Sequence, residues 1–268
     1  MSLQRYFIEL TKQQIEEAPT FSITGEEVHH IVNVMRMNEG DQIICCSQDG
    51  FEAKCELQSV SKDKVSCLVI EWTNENRELP IKVYIASGLP KGDKLEWIIQ
   101  KGTELGAHAF IPFQAARSVV KLDDKKAKKK RERWTKIAKE AAEQSYRNEV
   151  PRVMDVHSFQ QLLQRMQDFD KCVVAYEESS KQGEISAFSA IVSSLPKGSS
   201  LLIVFGPEGG LTEAEVERLT EQDGVTCGLG PRILRTETAP LYALSAISYQ
   251  TELLRGDQEG GSHHHHHH

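Results

Sequence analysis

The 268-residue chain contains no apolar run that approaches the length of a membrane span, and its N-terminus lacks the basic-then-apolar layout of a secretory signal. A cytoplasmic protein with no membrane partner is expected. The six cysteines, at positions 45, 46, 55, 67, 172 and 227, include no C-x-x-C pair, and a 39% hydrophobic composition needs no disulfide scaffold, so reduced and mostly buried thiols are expected. Six of the ten histidines form one run behind Glu259-Gly-Gly-Ser, which reads as an expression tag. The other four, His29, His30, His108 and His157, are scattered without the spacing of metal ligands, and no metal is expected. The chain also lacks the dinucleotide fingerprint G-x-G-x-x-G and a phosphate-binding loop ending in G-K-[ST], which sets nucleotide hydrolysis last among the possible activities.

What is present divides in two. Residues 1–73 read as short strands: RYFIEL, then IICCS, FEAKCELQSV and VSCLVIEW joined by the turns QDG and SKDK. Thr24-Gly-Glu-Glu27 has the side chains of a capping box and opens a helix through VHHIVNVMR, giving a small β-barrel closed around one helix. The polar TNENRELP marks the boundary. Residues 74–256 then alternate strands and helices, the pattern of a mostly parallel sheet covered on both faces. In this part Asp93 is expected to cap one helix, and a basic helix is expected over about 123–146. Residues 257–268 are tail and tag.

Two neighbouring units share one design, LLIVF–GPEGG–LTEAEVERL and VTCGL–GPRILRTETAP–LYALSAI. In each, a buried strand runs into a glycine-containing loop and then a helix with threonine near its start. Parallel strands would bring both loops to the carboxyl edge of the sheet, where α/β proteins bind ligands. Glycine admits close backbone approach, and a helix start offers free N–H donors. Glu208 would repel a polyphosphate, so a phosphate-free, positively charged cofactor such as S-adenosylmethionine fits better. The simpler alternative is a structural turn before a core helix, with Thr236 or Thr238 as cap, Pro240 in the first turn and Glu237 favoured by the helix dipole.

The pieces RYFI, HHIVNVMRMNEGD, KGDKLEWIIQKGTELG, AAEQSYRNEVP, GPEGGLTEAEVE and LGPRILRTETAPLYAL, in this order, resemble the RsmE family of bacterial 16S ribosomal RNA methyltransferases in the SPOUT superfamily. The resemblance implies an α/β fold in which a SPOUT-type parallel sheet carries a deep C-terminal trefoil knot, beside a small PUA-like β-barrel that binds RNA. It implies a homodimer acting on small-subunit ribosomal RNA, or on the assembled small subunit, with S-adenosyl-L-methionine as cofactor and uridine N3 as the methylated atom. Carried onto this chain, the cofactor cleft comprises Tyr176, Glu177, Phe205, Gly206, Pro207, Glu208, Gly209, Gly210, Leu229, Gly230, Ile233, Leu234, Arg235 and Thr236. The four glycine backbones would face the adenosine, and Leu229, Ile233 and Leu234 would flank the adenine. AAEQSYRNEVP departs from the family's usual form near Ser145 and Tyr146, which weakens any role for those two.

The chemistry narrows the catalytic candidates. N3 of uracil is a poor nucleophile until its proton leaves, so an always-charged guanidinium that can hold the anion is needed, together with a group to orient it or take the proton. Arg232 and Arg235 are the guanidinium candidates; Arg235 is assigned to the anion and Glu237 to orientation or proton transfer. For RNA, the net charge of −7 misleads: residues 121–139 hold ten Lys/Arg and three Asp/Glu, so this piece carries +7 and the rest −14. Lys128, Lys129, Lys130 and Arg131 are expected to meet phosphates, with Gln144 and Arg147 beyond them, and Arg5 and Arg36 on the barrel. Two other functions stay open: a ribosome-assembly factor that binds RNA without chemistry, and a SPOUT enzyme methylating a ribose 2′-hydroxyl.

Overall fold

The computed structural model describes residues 3–18, 20–177 and 185–254, so the 257–268 tail lies outside the described residues. The chain forms two compact units, one of Met1–Glu78 with Ala142–Glu149, the other of Leu79–Ala141 with Val150–His268. The first unit therefore takes in a short segment far along the chain that the sequence reading placed in the second domain.

In the first unit, β1 (Arg5–Phe7), β2 (Thr20–Ile23), β3 (Gln42–Cys46), β4 (Glu52–Val60) and β5 (Val65–Thr73) make one sheet in the order β1-β3-β4-β5-β2. Only β1 and β3 run parallel; the β3-β4-β5 meander and β2 are antiparallel. Tyr6, Ile31, Ile43, Leu57 and Val65 fill its core, and each such side chain taken from water contributes about 1.5–3 kcal/mol. Two elements lie outside the sequence reading: β2 and α1 (Lys12–Glu17), the latter opened by a Thr11/Gln14 capping box. The box expected at Thr24 is absent. Gly25 caps α2 (Glu26–His29) at φ 84° with no side-chain bond, and the helix passes into a π turn over His30–Val34.

The segment Ala142–Glu149 is fixed in this unit by polar bonds. Arg5 donates to Glu52 at 2.8 Å and to the Arg147 carbonyl at 3.1 Å, and Asn148 donates to Glu52 at 3.2 Å. Arg147 pairs with Glu78, its Nε at 3.0 Å. Here a helix ends. The Arg147 N–H returns to the Ala142 carbonyl (2.9 Å) and the Tyr146 N–H to that of Glu143 (3.3 Å), a Schellman cap that requires the left-handed region at Tyr146, φ 59°. Glycine fills such a position freely; a side chain there costs roughly 1 kcal/mol.

The second unit is built on a parallel sheet: β6 (Lys82–Gly88), β7 (Ala109–Gln114), β8 (Arg152–Val153), β9 (His157–Ser158), β10 (Lys171–Ala175), β11 (Ser200–Phe205) and β12 (Val225–Cys227), in the order β12-β10-β11-β6-β7-β8 with β9 also on β7. Every pairing in it is parallel, as the alternating pattern predicts. Side chains alternate faces along each strand. Leu201, Ile203 and Phe205 pack on one side with Val83, Ile85 and Val173, whereas Leu202 and Val204 pack on the other with Ala86, Cys172 and Val174. Helices α3 (Lys94–Glu104), α4 (Asp124–Gln144), α6 (Ile185–Ser194) and α8 (Ala239–Ser248) contribute Ile98, Trp134, Val192 and Leu244 to the first core. Helices α5 (Phe159–Arg165) and α7 (Glu213–Glu221) contribute Leu162 and Leu219 to the second. All six cysteines are free and buried, and no described helix is long and apolar enough to cross a membrane.

Candidate functional site

Strands β12, β10 and β11 lie side by side and parallel, so their carboxyl ends emerge at one edge. The residues that follow them converge on one cavity of about 800 Å³. Its walls include Tyr176 and Glu177 after β10, Phe205, Gly206, Pro207, Glu208, Gly209 and Gly210 after β11, and Leu229, Ile233, Leu234, Arg235, Thr236 and Glu237 after β12. Gly230 is the exception among the expected cleft residues. It is buried at φ 94° with its Cα facing the Tyr242 hydroxyl on α8, where an added Cβ would stand 3.2 Å away, so it shapes the loop from behind.

The loop after β11 is packed to its limit. A Cβ on Gly206 would lie 2.7 Å from the Leu211 nitrogen and 2.8 Å from the Gly210 carbonyl carbon. Arg117 donates through one Nη to the Gly209 (2.9 Å) and Leu211 (3.4 Å) carbonyls. The Glu208 carboxylate accepts the Lys91 N–H at 3.1 and 3.0 Å and pairs with Lys94 at 3.4 Å. Burial pushes the Glu208 carboxyl up, but the backbone N–H groups of Lys91 and Glu208 itself, with Lys94, outweigh it and hold it below the usual range. Thr212 and Glu215 then close a capping box at α7, and the second Glu215 oxygen accepts the Ala116 N–H at 3.0 Å.

The loop after β12 is looser. Arg232 and Arg235 are exposed, Ile233 is 83% exposed, and among the described residues the side chains of Arg232, Arg235 and Glu237 make no hydrogen bond or ion pair. Thr238 occupies the N-cap of α8 but makes no side-chain bond, because its helical dihedrals (φ −90°, ψ −39°) turn the hydroxyl away. The Arg235 carbonyl instead accepts from the N–H groups of Thr238 (2.9 Å) and Ala239 (3.0 Å).

Lys94, Arg117 and Glu213 also line the cavity and were missed in sequence. Lys94 opens α3 after β6, and Arg117 follows β7. Since β6 and β7 run parallel to β11, the carboxyl-edge argument that picked out the other loops extends to these two.

The expected RNA-facing residues separate. Lys128, Lys129, Lys130 and Gln144 are exposed on α4, and Arg36 is exposed in the first unit. Arg131 is tied to the Val153 carbonyl (2.9 Å) and Asp155 (3.0 Å). Arg5 and Arg147 must be corrected: they are 6% and 3% exposed and ion-paired with Glu52 and Glu78, so neither can reach a phosphate.

A family model for an RNA methyltransferase domain matches residues 77–248, and one for an RNA methyltransferase PUA domain matches 23–70. Ribosomal RNA small subunit methyltransferase E of Mycobacterium bovis is 33% identical over 85% of this chain and 86% of its own length. The crystal structure of a ribosomal RNA small subunit methyltransferase E from Neisseria gonorrhoeae bound to S-adenosyl methionine is 28% identical and superposes with a TM-score of 0.76 over 92% of this chain and 97% of that one. A crystal structure of an hypothetical protein is 97% identical, with a TM-score of 0.89 over 94% and 100% of the two chains.

Proposed function

The chain belongs to the ribosomal RNA small subunit methyltransferase E family, and from that premise we propose that it methylates N3 of one uridine in 16S ribosomal RNA with S-adenosylmethionine bound in the cavity described above. The observation that carries the reading is the convergence of three strand-end loops on a single cavity that combines glycine backbone, apolar walls, carboxylates and guanidinium groups.

The cavity suits this cofactor. Gly206, Gly209 and Gly210 bring backbone to the cavity wall, Leu229 and Leu234 offer apolar surface to an adenine, and Glu177, Glu213 and Glu237 stand among the cationic side chains as partners for the positively charged groups of the cofactor. When bound, S-adenosylmethionine supplies an electrophilic methyl group on a sulfonium. The chain's residues do the rest. Arg235 donates to a uracil carbonyl oxygen and holds the charge that appears as N3 loses its proton; Glu237 orients that guanidinium or receives the proton. Lys128, Lys129 and Lys130 bind phosphates, with Arg36 and Gln144 contributing at the surface. The family resemblance further supports a deep C-terminal trefoil knot, a PUA-like barrel in the first unit and a homodimeric active form, and action on ribosomal RNA accords with a cytoplasmic location.

The test is nucleoside mass spectrometry after incubating the protein, S-adenosylmethionine and small ribosomal subunits that lack the modification. 3-Methyluridine is expected; a 2′-O-methyl nucleoside overturns the base-methylation reading, and no methylation leaves an RNA-binding factor. Replacing Lys128, Lys129 and Lys130 by glutamine should weaken RNA binding and flatten its salt dependence, each lost phosphate contact lowering the slope by roughly 0.7–0.9. An unchanged slope removes these lysines from the interface.

A further inference from the structure

Among the described residues, three other than glycine have positive φ: Arg36, Tyr146 and Asp223. Each stands just past a helical segment, where a left-handed residue closes the cap. Asp223 is a short polar residue that tolerates the conformation, and Arg36 is exposed. Tyr146 is a large aromatic placed where glycine would be free of strain, and neither burial nor hydrogen bonding accounts for it. It is 39% exposed, and its phenol makes no hydrogen bond among the described residues.

What does surround Tyr146 is a rigid support. Its ring lies over the Arg5 guanidinium, 5.7 Å from Cζ to the ring centroid, and Arg5 is itself held by Glu52, Cys46 and the Arg147 carbonyl. Arg77 donates to the Tyr146 carbonyl at 3.4 Å, and its own N–H donates to Asn148 at 3.0 Å. The backbone is thus over-determined on both sides of a strained residue, an arrangement found at ligand clamps. A partly exposed aromatic ring held in place by its surroundings is the kind of element on which single-stranded nucleic acids stack, because every base has a π face.

We propose that Tyr146, braced by Arg5, is a stacking platform for an unpaired base of the bound RNA. The inference rests on the reading that the chain acts on RNA. It adds a contact that carries no charge, in contrast to the lysines of α4.

The discriminating variant is Tyr146→Gly, since glycine relieves the strain while removing the ring, with Tyr146→Phe keeping the ring. The full chain is titrated with a fluorescein-labelled hairpin RNA bearing a single-stranded uridine-containing loop, and thermal stability is measured alongside. Tyr146→Gly is expected to bind about tenfold more weakly with the salt slope of the unaltered protein, at an equal or higher melting temperature. Tyr146→Phe is expected to bind normally. Unchanged binding by Tyr146→Gly overturns the proposal, as does a fall in its melting temperature, which would make the ring a cover for Arg5. Failure of the unaltered protein to bind the hairpin overturns both this proposal and the RNA reading beneath it; failure of the variant alone to differ strikes only at Tyr146.

Discussion

Residues 206–211 and, Gly230 and Pro231 apart, 229–237 wall the same cavity, yet their own chain treats them differently. The first stretch has its carbonyls bound by Arg117, its carboxylate clasped by Lys91 and Lys94, and its exit locked by the Thr212 capping box. The second presents Arg232, Ile233, Arg235 and Glu237 with no side-chain bonds among the described residues. A side chain already bonded within the fold has fewer free donors or acceptors for a ligand than one held only by its backbone. The contrast fits the proposal that the first loop shapes the cavity and the second carries the chemistry.

The largest effect should come from the open loop and should leave the fold alone. Arg235→Ala is expected to slow single-turnover methylation on the order of 10²–10³-fold, the loss typical of one donor to a developing oxyanion. The melting temperature should stay as it is, because the Arg235 side chain makes no hydrogen bond or ion pair among the described residues. A near-normal rate would take Arg235 out of the chemistry and erase the functional half of the contrast.

Next in size is a stability difference between the loops. Gly206→Ala puts a Cβ against backbone atoms whose neighbours are bound by Arg117, so neither side can yield; a loss of roughly 1–3 kcal/mol is expected, with weakened cofactor binding. Ile233→Ala, at 83% exposure, should change stability by no more than about 0.5 kcal/mol. Chemical denaturation of the two variants compares them directly, and equal costs would mean that the loops are equally rigid.

How far sequence could anticipate this depends on the range of the forces involved. The parallel sheet was readable because strand alternation and helix periodicity are local, and the two loops were readable because glycine turns follow buried strands. Caps were less so. The boxes that form, at Thr11, Ser158 and Thr212, have cap residues near φ −70 to −78° and ψ 158–162°. The box expected at Thr24, the side-chain cap expected at Asp93 and the cap that the simpler alternative allowed at Thr238 do not form, because the cap residue there is Gly25 at φ 84°, Asp93 at ψ 14° or Thr238 at ψ −39°. A residue type shows that a cap is possible; the dihedral, set by tertiary packing, decides it. Arg5 and Arg147 looked like surface cations because Glu52 and Glu78, 47 and 69 positions away, cannot be matched to them locally. The same distance hid the attachment of Ala142–Glu149 to the first unit.

The smallest effect sharpens the fixed side of the contrast through pH. Because Glu208 has a depressed carboxyl pKa in the folded chain, folding favours its ionised form; that contribution is present above the ordinary glutamate pKa of about 4.3 and is lost as pH falls through the lower folded value. Glu208→Gln keeps the shape but cannot ionise, so it should melt slightly below the parent at pH 6–7, by an amount on the order of a degree for a partly exposed group. The gap should then close as pH is lowered below about 4, since the parent's carboxylate takes up its proton and forfeits Lys94. A gap that stays constant across this range would mean that Lys91 and Lys94 read only the shape of the Glu208 side chain, and the clasp would be geometric instead of electrostatic.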